Sequence, residues 1–413
     1  MGKIDELTNE ASAMQKPVSD IAERGGSGAI AQLIQQYCPD GVEYVKLGDV
    51  CKTLQKGTLT TKELVEPDGN NYPVINSGRE LYGYYPQFNN EGDAITVAAR
   101  GEYAGYITYF SERFWAGGLC YPYRSSSSAL STKFIFYYLK SRQKYIRNTL
   151  VAEGSIPALN KGTLEQFEIP LPPLPVQEAI VNILDRFAVY AAELQAELQA
   201  RQQQYNYYRD TLLSFESRED VQWVKLGEMC IYAKERIGAD LMNENNYVSV
   251  ENLLPNQRGK EKASNVPKEG NCIKFEPNDV LIGNIRPYLH KIWYADCVGG
   301  TNGDVLCVRI KDDAKNVIIP RYLYCILSSH SFFEYDNSYS KGAKMPRGDK
   351  QKVMEYEFGI PSLSEQQRIV NILDRFDTLI NDLSQGLPAE IEARQQQYEY
   401  YRDKLLTFKK KEA

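Results

Sequence analysis

The feature that most constrains this chain is an internal repeat. The heptapeptide Val-Asn-Ile-Leu-Asp-Arg-Phe occupies residues 181–187 and recurs unchanged at 370–376. Two shorter segments recur in the same order: Arg-Gln-Gln-Gln-Tyr at 201–205 and 394–398, and Val-Lys-Leu-Gly at 45–48 and 224–227. A repeated segment indicates a repeated unit of structure. We therefore predict two similar halves, each with a Val-Lys-Leu-Gly strand, a block of over a hundred residues, a proline-rich hinge and a long helix.

The blocks between these repeats share little sequence, and both have a mixed α/β pattern. Short β-like runs at 93–97 and 279–282 are followed by glycine-rich turns, and 131–150 and 320–333 have the spacing of amphipathic helices. The predicted fold class is α+β: two mixed α/β domains joined by long helices that pair as an antiparallel coiled coil, with a pseudo-two-fold repeat. The predicted organisation is an N-terminal segment 1–43, a first domain 44–170, a helical spacer 171–220, a second domain 221–360 and a C-terminal helical spacer 361–413.

The two helices carry matching apolar seams. In the first, apolar positions alternate at spacings of four and three, which is a period of 3.5 and predicts a left-handed coiled coil. They are Ile180, Leu184, Phe187, Ala191, Leu194, Leu198, Arg201, Tyr205, Tyr208, Leu212 and Phe215, with Arg201 the charged exception. Two matching seams in one chain favour pairing within the chain, and dimerisation between chains is the alternative.

The second helix departs from the first by four residues. Its seam has consecutive four-residue steps from Leu383 to Leu387 to Ile391, and the repeat offset changes from 189 to 193 across this region. Gly386 and Pro388 flank the extra residues, so a kink or break is predicted there. In the first helix, Ala192–Gln199 is a tandem Ala-Glu-Leu-Gln repeat, which is either ordinary helix-forming sequence or a module that sets helix length.

Composition limits the possible functions of the chain but does not identify one. The net charge is −6, yet residues 44–170 have a net charge of +2 and residues 221–360 of +1. Near-neutral domains can bind nucleic acid if their basic side chains gather on one face. The eight cysteines are scattered without a Cys-x-x-Cys pair, so reduced, structural thiols are predicted. The apolar runs are shorter than a membrane span and no signal peptide is recognised, so a cytoplasmic location is expected.

No constellation of catalytic residues is found. Leu171-Pro172-Pro173-Leu174 has the prolines of a DNA methyltransferase motif but not its amide or acid, and no phosphate-binding loop of the Gly-x-x-x-x-Gly-Lys-Ser/Thr type occurs. The only histidines, His290 and His330, stand in separate contexts. No catalytic residue, metal ligand or cofactor is predicted.

The order of these motifs resembles the specificity subunits of type I restriction-modification systems. The similar features span about 33 to 408. They are the segment Leu33–Gly48, the hinges Ile169–Gln177 and Ile360–Gln366, both Asn-Ile-Leu-Asp-Arg-Phe helices, and Gly386–Tyr398.

The resemblance implies a non-catalytic DNA-binding subunit with two target recognition domains, each reading one half of a split site in double-stranded DNA. It also implies two methyltransferase subunits docked on the helical regions, with restriction subunits added in the full complex. In similar proteins, tandem four-residue units set the gap between half-sites, which favours a length-setting role for Ala192–Gln199.

Candidate DNA contacts in the first domain are side chains that carry paired donors or a positive charge beside flexible turns. Ser77, Arg79 and Tyr82 belong to one glycine-containing turn, and Arg100 opens Arg-Gly-Glu-Tyr-Ala-Gly. Lys161 is a further candidate because the Pro157–Lys161 pair recurs in the second half. Arg100 could instead pair with Glu102, and the turn could simply be solvated.

The second domain offers a matching set. Arg286 is taken as the equivalent of Arg100, because each lies seven residues after an aspartate, at Asp93 and Asp279. The other candidates are Thr301, Asn302, Lys344, Arg347 and Lys350. Arg286 could instead pair with Asp304, and the loops could be ordinary solvated turns. The basic stretch from Lys133 to Arg147 could likewise face phosphates, or pack aromatics inward with solvated charges.

Two other functional classes stay open on sequence grounds. One is a DNA-modifying or DNA-cleaving enzyme with an unrecognised active site, which would act on DNA without partner subunits. The other is a coiled-coil scaffold that binds no DNA.

Overall fold

The computed structural model describes residues 27–215, 218–381 and 386–412, and the chain forms two compact units. Unit 1 comprises Met1–Glu193 and Glu392–Ala413, and unit 2 comprises Leu194–Ile391. Much of the predicted N-terminal segment, and the seam position Leu383, lie outside the described residues. The units differ from the linear domains of the sequence because each contains one α/β block together with parts of both long helices.

Unit 1 is built on a four-stranded antiparallel sheet. The strands of unit 1 are β1 (Glu43–Lys46), β2 (Cys51–Thr53), β3 (Tyr72–Ile75), β4 (Gly83–Tyr85), β5 (Ala94–Ala98), β6 (Ile107–Phe110), β7 (Trp115–Ala116), β8 (Cys120–Ser125), β9 (Val151–Ala152), β10 (Ala158–Leu159) and β11 (Glu168–Leu171). The main sheet has the order β2-β8-β5-β6, and β4-β3-β7, β1-β11 and β10-β9 form smaller sheets. Strand β5 is buried along its whole length, as expected for a central strand.

Unit 1 also contains helices and turns, and the helix Thr132–Ser141 packs against β5 and β6. The helices are α1 (Ser27–Tyr37), α2 (Leu47–Val50), α3 (Thr132–Ser141), α4 (Gln143–Tyr145), a π turn (Ile146–Leu150), α5 (Lys161–Glu165) and the first part of α6 (Leu174–Leu212), with a 3-10 turn at Thr61–Glu63. The helix predicted over 131–150 is interrupted, since α3 ends at Ser141 and the chain continues through α4 and the π turn.

Unit 2 repeats the main sheet. Its strands are β12 (Gln222–Lys225), β13 (Cys230–Tyr232), β14 (Arg236–Gly238), β15 (Tyr247–Val248), β16 (Asn271–Phe275), β17 (Val280–Gly283), β18 (Ile292–Tyr294), β19 (Gly299–Thr301), β20 (Val305–Ile310) and β21 (Glu357–Ile360). The order β13-β20-β17-β18 matches the main sheet of unit 1, and β12-β21 matches β1-β11. The second sheet, β14-β16-β19-β15, has one strand more than its counterpart β4-β3-β7.

The helices of unit 2 follow the same plan. They are α7 (Leu226–Met229), α8 (Pro320–Leu327), α9 (His330–Ser338), α10 (Lys350–Met354) and α11 (Leu363–Asn381), with 3-10 turns at Ala239–Leu241, Pro287–Leu289 and Asp312–Ala314. The helix predicted over 320–333 is divided: the first segment ends at Leu327, and Ser329 caps α9 by accepting a hydrogen bond from the Phe332 N–H.

The matching sheets and the interdigitated helices confirm the predicted α+β class. In unit 1, Phe187 of α6 stacks on Tyr401 of α12 (Leu387–Leu405), with ring centroids 5.8 Å apart, and Tyr190 lies against Arg394. A later residue of α6 thus contacts an earlier residue of α12, so the two helices are antiparallel here. Of the eleven seam positions of the first helix, four are buried, six are half-buried and Ala191 is exposed.

The predicted break in the second long helix is confirmed. Helix α11 ends at Asn381 and α12 begins at Leu387, with Pro388 in the first turn of α12. Proline is tolerated in a first turn because its missing N–H would have no partner there. The corresponding stretch of α6, which lacks this insertion, runs unbroken for 39 residues.

A buried glutamine ties each hinge to its unit. Gln366 has no exposed surface; its Oε1 accepts a hydrogen bond from the Ile319 N–H, and its Nε2 donates to the carbonyls of Val317 and Pro361, all at 2.9 Å. Gln177 does the same in unit 1 with Ser131, Ala129 and Pro172. The two side chains join the start of a long helix to the loop before α8 or α3, so they fix the hinge in both units.

All eight cysteines are free thiols and seven are buried, which confirms their predicted structural role. Burial raises the pKa of the Cys120 and Cys230 thiols to about 12, so both are protonated at neutral pH. Within the described residues, no helix combines the length and the hydropathy that crossing a membrane would need.

The C-terminal end of the chain completes the core of unit 1. Leu406 is fully buried, and the Tyr44 hydroxyl donates a hydrogen bond to the Phe408 carbonyl at 3.2 Å. We expect Leu406→Ala to lower the free energy of unfolding by about 2–5 kcal/mol, because it leaves a cavity in a packed core. Denaturant unfolding of the full chain measures this. The neighbouring Thr407→Ala is the control, because Thr407 is exposed; equal stability of the two variants would contradict this packing.

Candidate nucleic-acid interface

Three loops of unit 2 are joined by backbone hydrogen bonds into one surface, which we call the unit-2 loop surface: residues 284–286, 302–304 and 341–350. The Arg286 N–H donates to the Pro346 carbonyl at 2.7 Å, and the Gly348 N–H donates to the Asn284 carbonyl at 3.1 Å. The Asn284 N–H in turn donates to the Asp304 carbonyl at 2.9 Å. The structure thus brings together Arg286, Asn302, Lys344, Arg347 and Lys350 from three separate stretches of sequence.

This surface is basic. It carries two arginines and three lysines, Lys341 included, against Asp304 and Asp349. One Arg347 nitrogen lies 3.2 Å from an Asp304 oxygen, and Lys341 donates to Asp349, which lowers the pKa of that carboxyl. Arg286 is exposed and forms no ion pair with a described carboxylate, Asp304 included. An unpaired arginine on a basic surface can bind a phosphate or a guanine edge.

Unit 1 has an equivalent surface, the unit-1 loop surface: residues 76–82, 99–101, 117–119 and 157–161. The Gly101 N–H donates to the Pro157 carbonyl at 2.9 Å, and the Leu159 N–H to the Ala99 carbonyl at 2.8 Å. Arg100 forms a β-bridge with Ala158, and its exposed side chain has no ion pair with Glu102 or another described carboxylate. Both repeats therefore present a basic loop after the same central strand.

A lysine holds the glycine turn in each surface. In unit 2, Lys350 Nζ donates to the Gly303 carbonyl at 2.9 Å. In unit 1, Lys56 Nζ donates to the Gly118 carbonyl at 3.1 Å. The carbonyls correspond although the lysines come from different parts of the two repeats. The sequence analysis did not select Lys56. The one local feature that could have indicated it is the glycine that follows, Gly57.

The predicted equivalence of Arg100 and Arg286 is wrong by one residue. The Tyr109 hydroxyl donates to Asp93 and the Tyr294 hydroxyl donates to Asn278, so Asn278 and not Asp279 corresponds to Asp93. Asp279 is instead buried against Arg309, with a nitrogen–oxygen distance of 2.7 Å.

The same shift carries through the following loop. Arg100 therefore aligns with Ile285, and Arg286 aligns with Gly101, which makes the equivalent backbone bond to a proline carbonyl. Both residues have positive φ, 90° at Gly101 and 54° at Arg286. A left-handed arginine is strained where glycine is not, and such outliers are concentrated at functional sites.

The turn containing Ser77, Arg79 and Tyr82 lies beside the glycine turn of unit 1. Asn76 Oδ1 accepts a hydrogen bond from the Leu119 N–H at 2.9 Å, which joins the two loops. Arg79 is exposed and lies 3.7 Å from Glu80. Tyr82 is 40% exposed, so its ring is free to contact a partner. Ser77 is half-buried.

The structure contradicts the prediction that Thr301 contacts DNA. Thr301 is fully buried on β19, and its hydroxyl donates to the Val248 carbonyl at 2.7 Å. Its side chain therefore stabilises the sheet. Asn302 is half-buried and accepts a hydrogen bond from the Asp304 N–H; its side-chain amide NH2 group stays a candidate donor to DNA.

The paired lysines of the two repeats occupy equivalent places. Lys161 and Lys350 each begin a five-residue helix capped by the preceding residue, Asn160 or Asp349. Lys161 lies 3.3 Å from Glu165. Lys344 is exposed at the tip of its loop. These positions fit phosphate contacts.

The basic stretch in α3 faces the protein. Lys133 binds Asp185 at 2.8 Å, and Lys140 donates to the Ile107 carbonyl at 2.8 Å. Burial lowers the pKa of Lys140 to about 8, and Arg147 donates to the Glu102 carbonyl. Phe134, Tyr137 and Tyr138 are buried, as the plainer interpretation expects. The charged groups, however, bind other parts of unit 1 and are not simply solvated.

Comparison with known proteins shows the family to which both repeats belong. The family model described as type I restriction modification DNA specificity domain matches twice, at residues 39–201 and 218–393. The EcoR124I/EcoR124II specificity subunit of Escherichia coli, a type I restriction enzyme subunit, is 30% identical over 409 residues, covering 90% of this chain and 95% of its own.

Two solved structures share the fold. One is the S subunit of a type I restriction-modification system from M. genitalium, with a TM-score of 0.56 and 19% identity over 89% of this chain and 96% of its own. The other belongs to a study of assembly of the type I system, with a TM-score of 0.56 and 16% identity over 89% of this chain and 98% of that chain.

A duplicated α+β frame that presents a basic loop surface in each copy defines a DNA-recognition protein. The chain belongs to the type I restriction-modification DNA specificity family, and its role is DNA-sequence specificity. The members of this family are non-catalytic subunits, so chemistry on DNA is the work of other chains.

Proposed function

We propose that this chain reads a double-stranded DNA target in two parts, with one recognition domain for each part. The observation that supports this is the presence, in both repeats, of a basic loop surface after the central strand of the same sheet. Because the loops themselves differ in sequence, the two parts of the target should differ as well. The recognition domains are taken as 44–170 and 221–360, and the helical spacers as 171–220 and 361–413.

The proposed DNA contacts divide between the two surfaces. In unit 1 they are Ser77, Arg79, Tyr82, Arg100 and Lys161, and in unit 2 they are Arg286, Asn302, Lys344, Arg347 and Lys350. Exposed apolar side chains accompany them: Ile156 is 65% exposed in the loop opposite Arg100, and Met345 is 54% exposed beside Lys344. Such side chains can contact thymine methyl groups in the major groove.

The partners are proposed to be two methyltransferase subunits docked on the helical regions, with restriction subunits in the full complex, acting in the cytoplasm. Ala192–Gln199 lies within α6 and is proposed to set the gap between the two parts of the target. One added four-residue unit would lengthen a helix by about 6 Å.

Protection of DNA by the assembled complex tests this function. The chain with its methyltransferase subunits should protect two short segments separated by an unprotected gap. Modification or cleavage of DNA by the purified chain alone would instead establish an enzyme. Failure of the complex to retain any DNA would support a scaffold.

The lysines at the helix starts should contribute charge and little base preference. Lys161→Gln is expected to weaken binding to all sequences alike and to reduce the dependence of log affinity on log salt by about one. Lys350→Gln should reduce the salt dependence by the same amount, and it also releases the Gly303 carbonyl that Lys350 holds. Titrations of target and unrelated DNA at several salt concentrations measure both effects. Lys268→Gln, an exposed lysine outside the unit-2 loop surface, is the control. A selective loss on target DNA would assign these lysines to base recognition.

A further inference from the structure

Three side-chain oxygens beneath the unit-2 loop surface are buried without hydrogen-bond partners. Asp336, on α9, is 1% exposed, and Asn284, directly after β17, is 4% exposed. Among the described residues, neither carboxylate oxygen of Asp336 nor Oδ1 of Asn284 accepts a hydrogen bond. Buried polar atoms are nearly always paired, so this cluster requires an explanation.

Gly348 shows that the oxygens face one point. A Cβ added to Gly348 would lie 2.5 Å from Oδ1 of Asp336 and 2.8 Å from Oδ1 of Asn284. Glycine is therefore required here by space and not by its backbone angles. Gly348 directly follows Arg347, and Asn284 is two residues before Arg286, so the cluster lies under the loops that carry both arginines.

An ionised Asp336 would be an uncompensated buried charge. No described lysine, arginine or histidine forms an ion pair with it, and burial raises its pKa from 3.8 to about 6. The nearby acid, Asp349 at the start of α10, has a lowered pKa because Lys341 donates a hydrogen bond to it. Burial, followed by the charges of Asp336 and Asp349, raises the pKa of Tyr232 on β13.

Two histidines also lie on or against α9. His330 pairs with Glu334 on the exposed side of α9, 3.1 Å apart. His290 stacks on Phe333, and burial, followed by His330 and Arg209, lowers its pKa. Neither histidine forms an ion pair with Asp336.

We propose that Asp336 takes up a proton when unit 2 binds DNA, and that its neutral carboxyl group then donates a hydrogen bond to Oδ1 of Asn284. The proton comes from solvent. Bound phosphates bring negative charge above the cluster, which disfavours a carboxylate below it and favours the carboxylic acid. Asp336 is thus a positioning residue: its neutral form joins α9 to the loop of Arg286, beneath the glycine that follows Arg347. This inference rests on the proposed DNA-reading function.

Protonation of Asp336 stabilises the folded unit, and this stabilisation is lost as the pH rises. Because the pKa of folded Asp336 lies above its ordinary value, the folded unit holds this proton more tightly than the unfolded chain. The contribution to stability is present below pH 4 and is lost as the pH rises through about 6. DNA binding coupled to the uptake of one proton should weaken by up to about tenfold per pH unit above the pKa of Asp336 in the unbound chain, which is about 6. This dependence ends above the higher pKa that Asp336 has in the complex.

Calorimetric titration of the full chain, assembled with its methyltransferase subunits, into target DNA tests this proposal. Runs at pH 7.5 in two buffers of different ionisation enthalpy give the number of protons taken up. The wild type should take up a proton that Asp336→Asn does not, because the amide can donate to Asn284 without titrating. Asp336→Asn should also bind as tightly at pH 7.5 as at pH 6, whereas Asp336→Ala should bind weakly at both. Glu334→Gln, an exposed carboxylate on the same helix, is the matched control and should leave the uptake unchanged.

The outcomes separate this inference from the function on which it rests. Uptake that is equal in the wild type and in Asp336→Asn would overturn the role of Asp336 and assign the proton to another group. Sequence-specific binding with no proton uptake by the wild type, a measurement that needs no variant, would overturn the inference alone. A complex that binds no DNA would overturn both.

Discussion

Gln366→Leu is expected to lower the free energy of unfolding of the chain by about 3 kcal/mol or more. The leucine would fill the space but leave the Ile319 N–H and the Val317 and Pro361 carbonyls buried without their side-chain partner. Each buried group that loses its hydrogen bond costs about 1–3 kcal/mol. Denaturant unfolding of the full chain, followed by circular dichroism, measures the change.

The next residue provides a matched control. Gln367 is exposed and donates to Asn371, at 2.9 Å on the same helix, so Gln367→Leu should change stability by less than about 0.5 kcal/mol. Gln177→Leu should reproduce the large effect in unit 1, where the same three bonds occur. If Gln366→Leu and Gln367→Leu proved equally stable, the hinge would not depend on the buried amide.

Arg286→Ala is expected to relax recognition at one part of the target only. The exposed guanidinium stands on a strained left-handed backbone with no described carboxylate paired to it. A bidentate contact from arginine to a base contributes about 1–3 kcal/mol of discrimination, which is roughly 5- to 150-fold in affinity. Competition binding between the target and single-base variants, with the assembled complex, measures this.

Arg236 provides the control for this substitution. It is an exposed arginine of unit 2 on β14, outside the unit-2 loop surface, and Arg236→Ala should leave base preference unchanged. The Arg286→Ala chain should still assemble with its methyltransferase partners. Unchanged preference in Arg286→Ala, or equal relaxation at both parts of the target, would refute this role.

The sequence predicts the frame of this protein because the frame is repeated. Identical helix motifs define the two copies, the 3.5-residue period defines the pairing face, and Gly386 and Pro388 mark the break. The sequence alignment of the two variable blocks is wrong by one residue, because it pairs Asp93 with Asp279, the residue of the same type. The structure matches Asp93 with Asn278, since both have positive φ and both accept a hydrogen bond from a tyrosine hydroxyl. Aspartate and asparagine are the residues that tolerate this conformation.

The sequence could not show which polar residues are buried. Thr301 stands in a glycine-rich stretch that reads as a loop, yet β19 places it fully inside, where its hydroxyl binds a carbonyl. Asp336 lies in a polar stretch of a short helix, and only the approach of Gly348 and Asn284 shows that it is enclosed. Lys56 joins the unit-1 loop surface through a backbone carbonyl 62 residues away. Contacts of this kind depend on tertiary structure and have no local pattern.

Sequencing of methylated bases in a host that carries this chain with its methyltransferase subunits tests the central claim most directly. We expect methylation within one motif made of two different short segments at a fixed separation. Arg286→Ala should broaden the segment read by unit 2 and leave the other unchanged. Methylation that does not depend on the chain, or a single uninterrupted motif, would contradict a two-part reading by the two units.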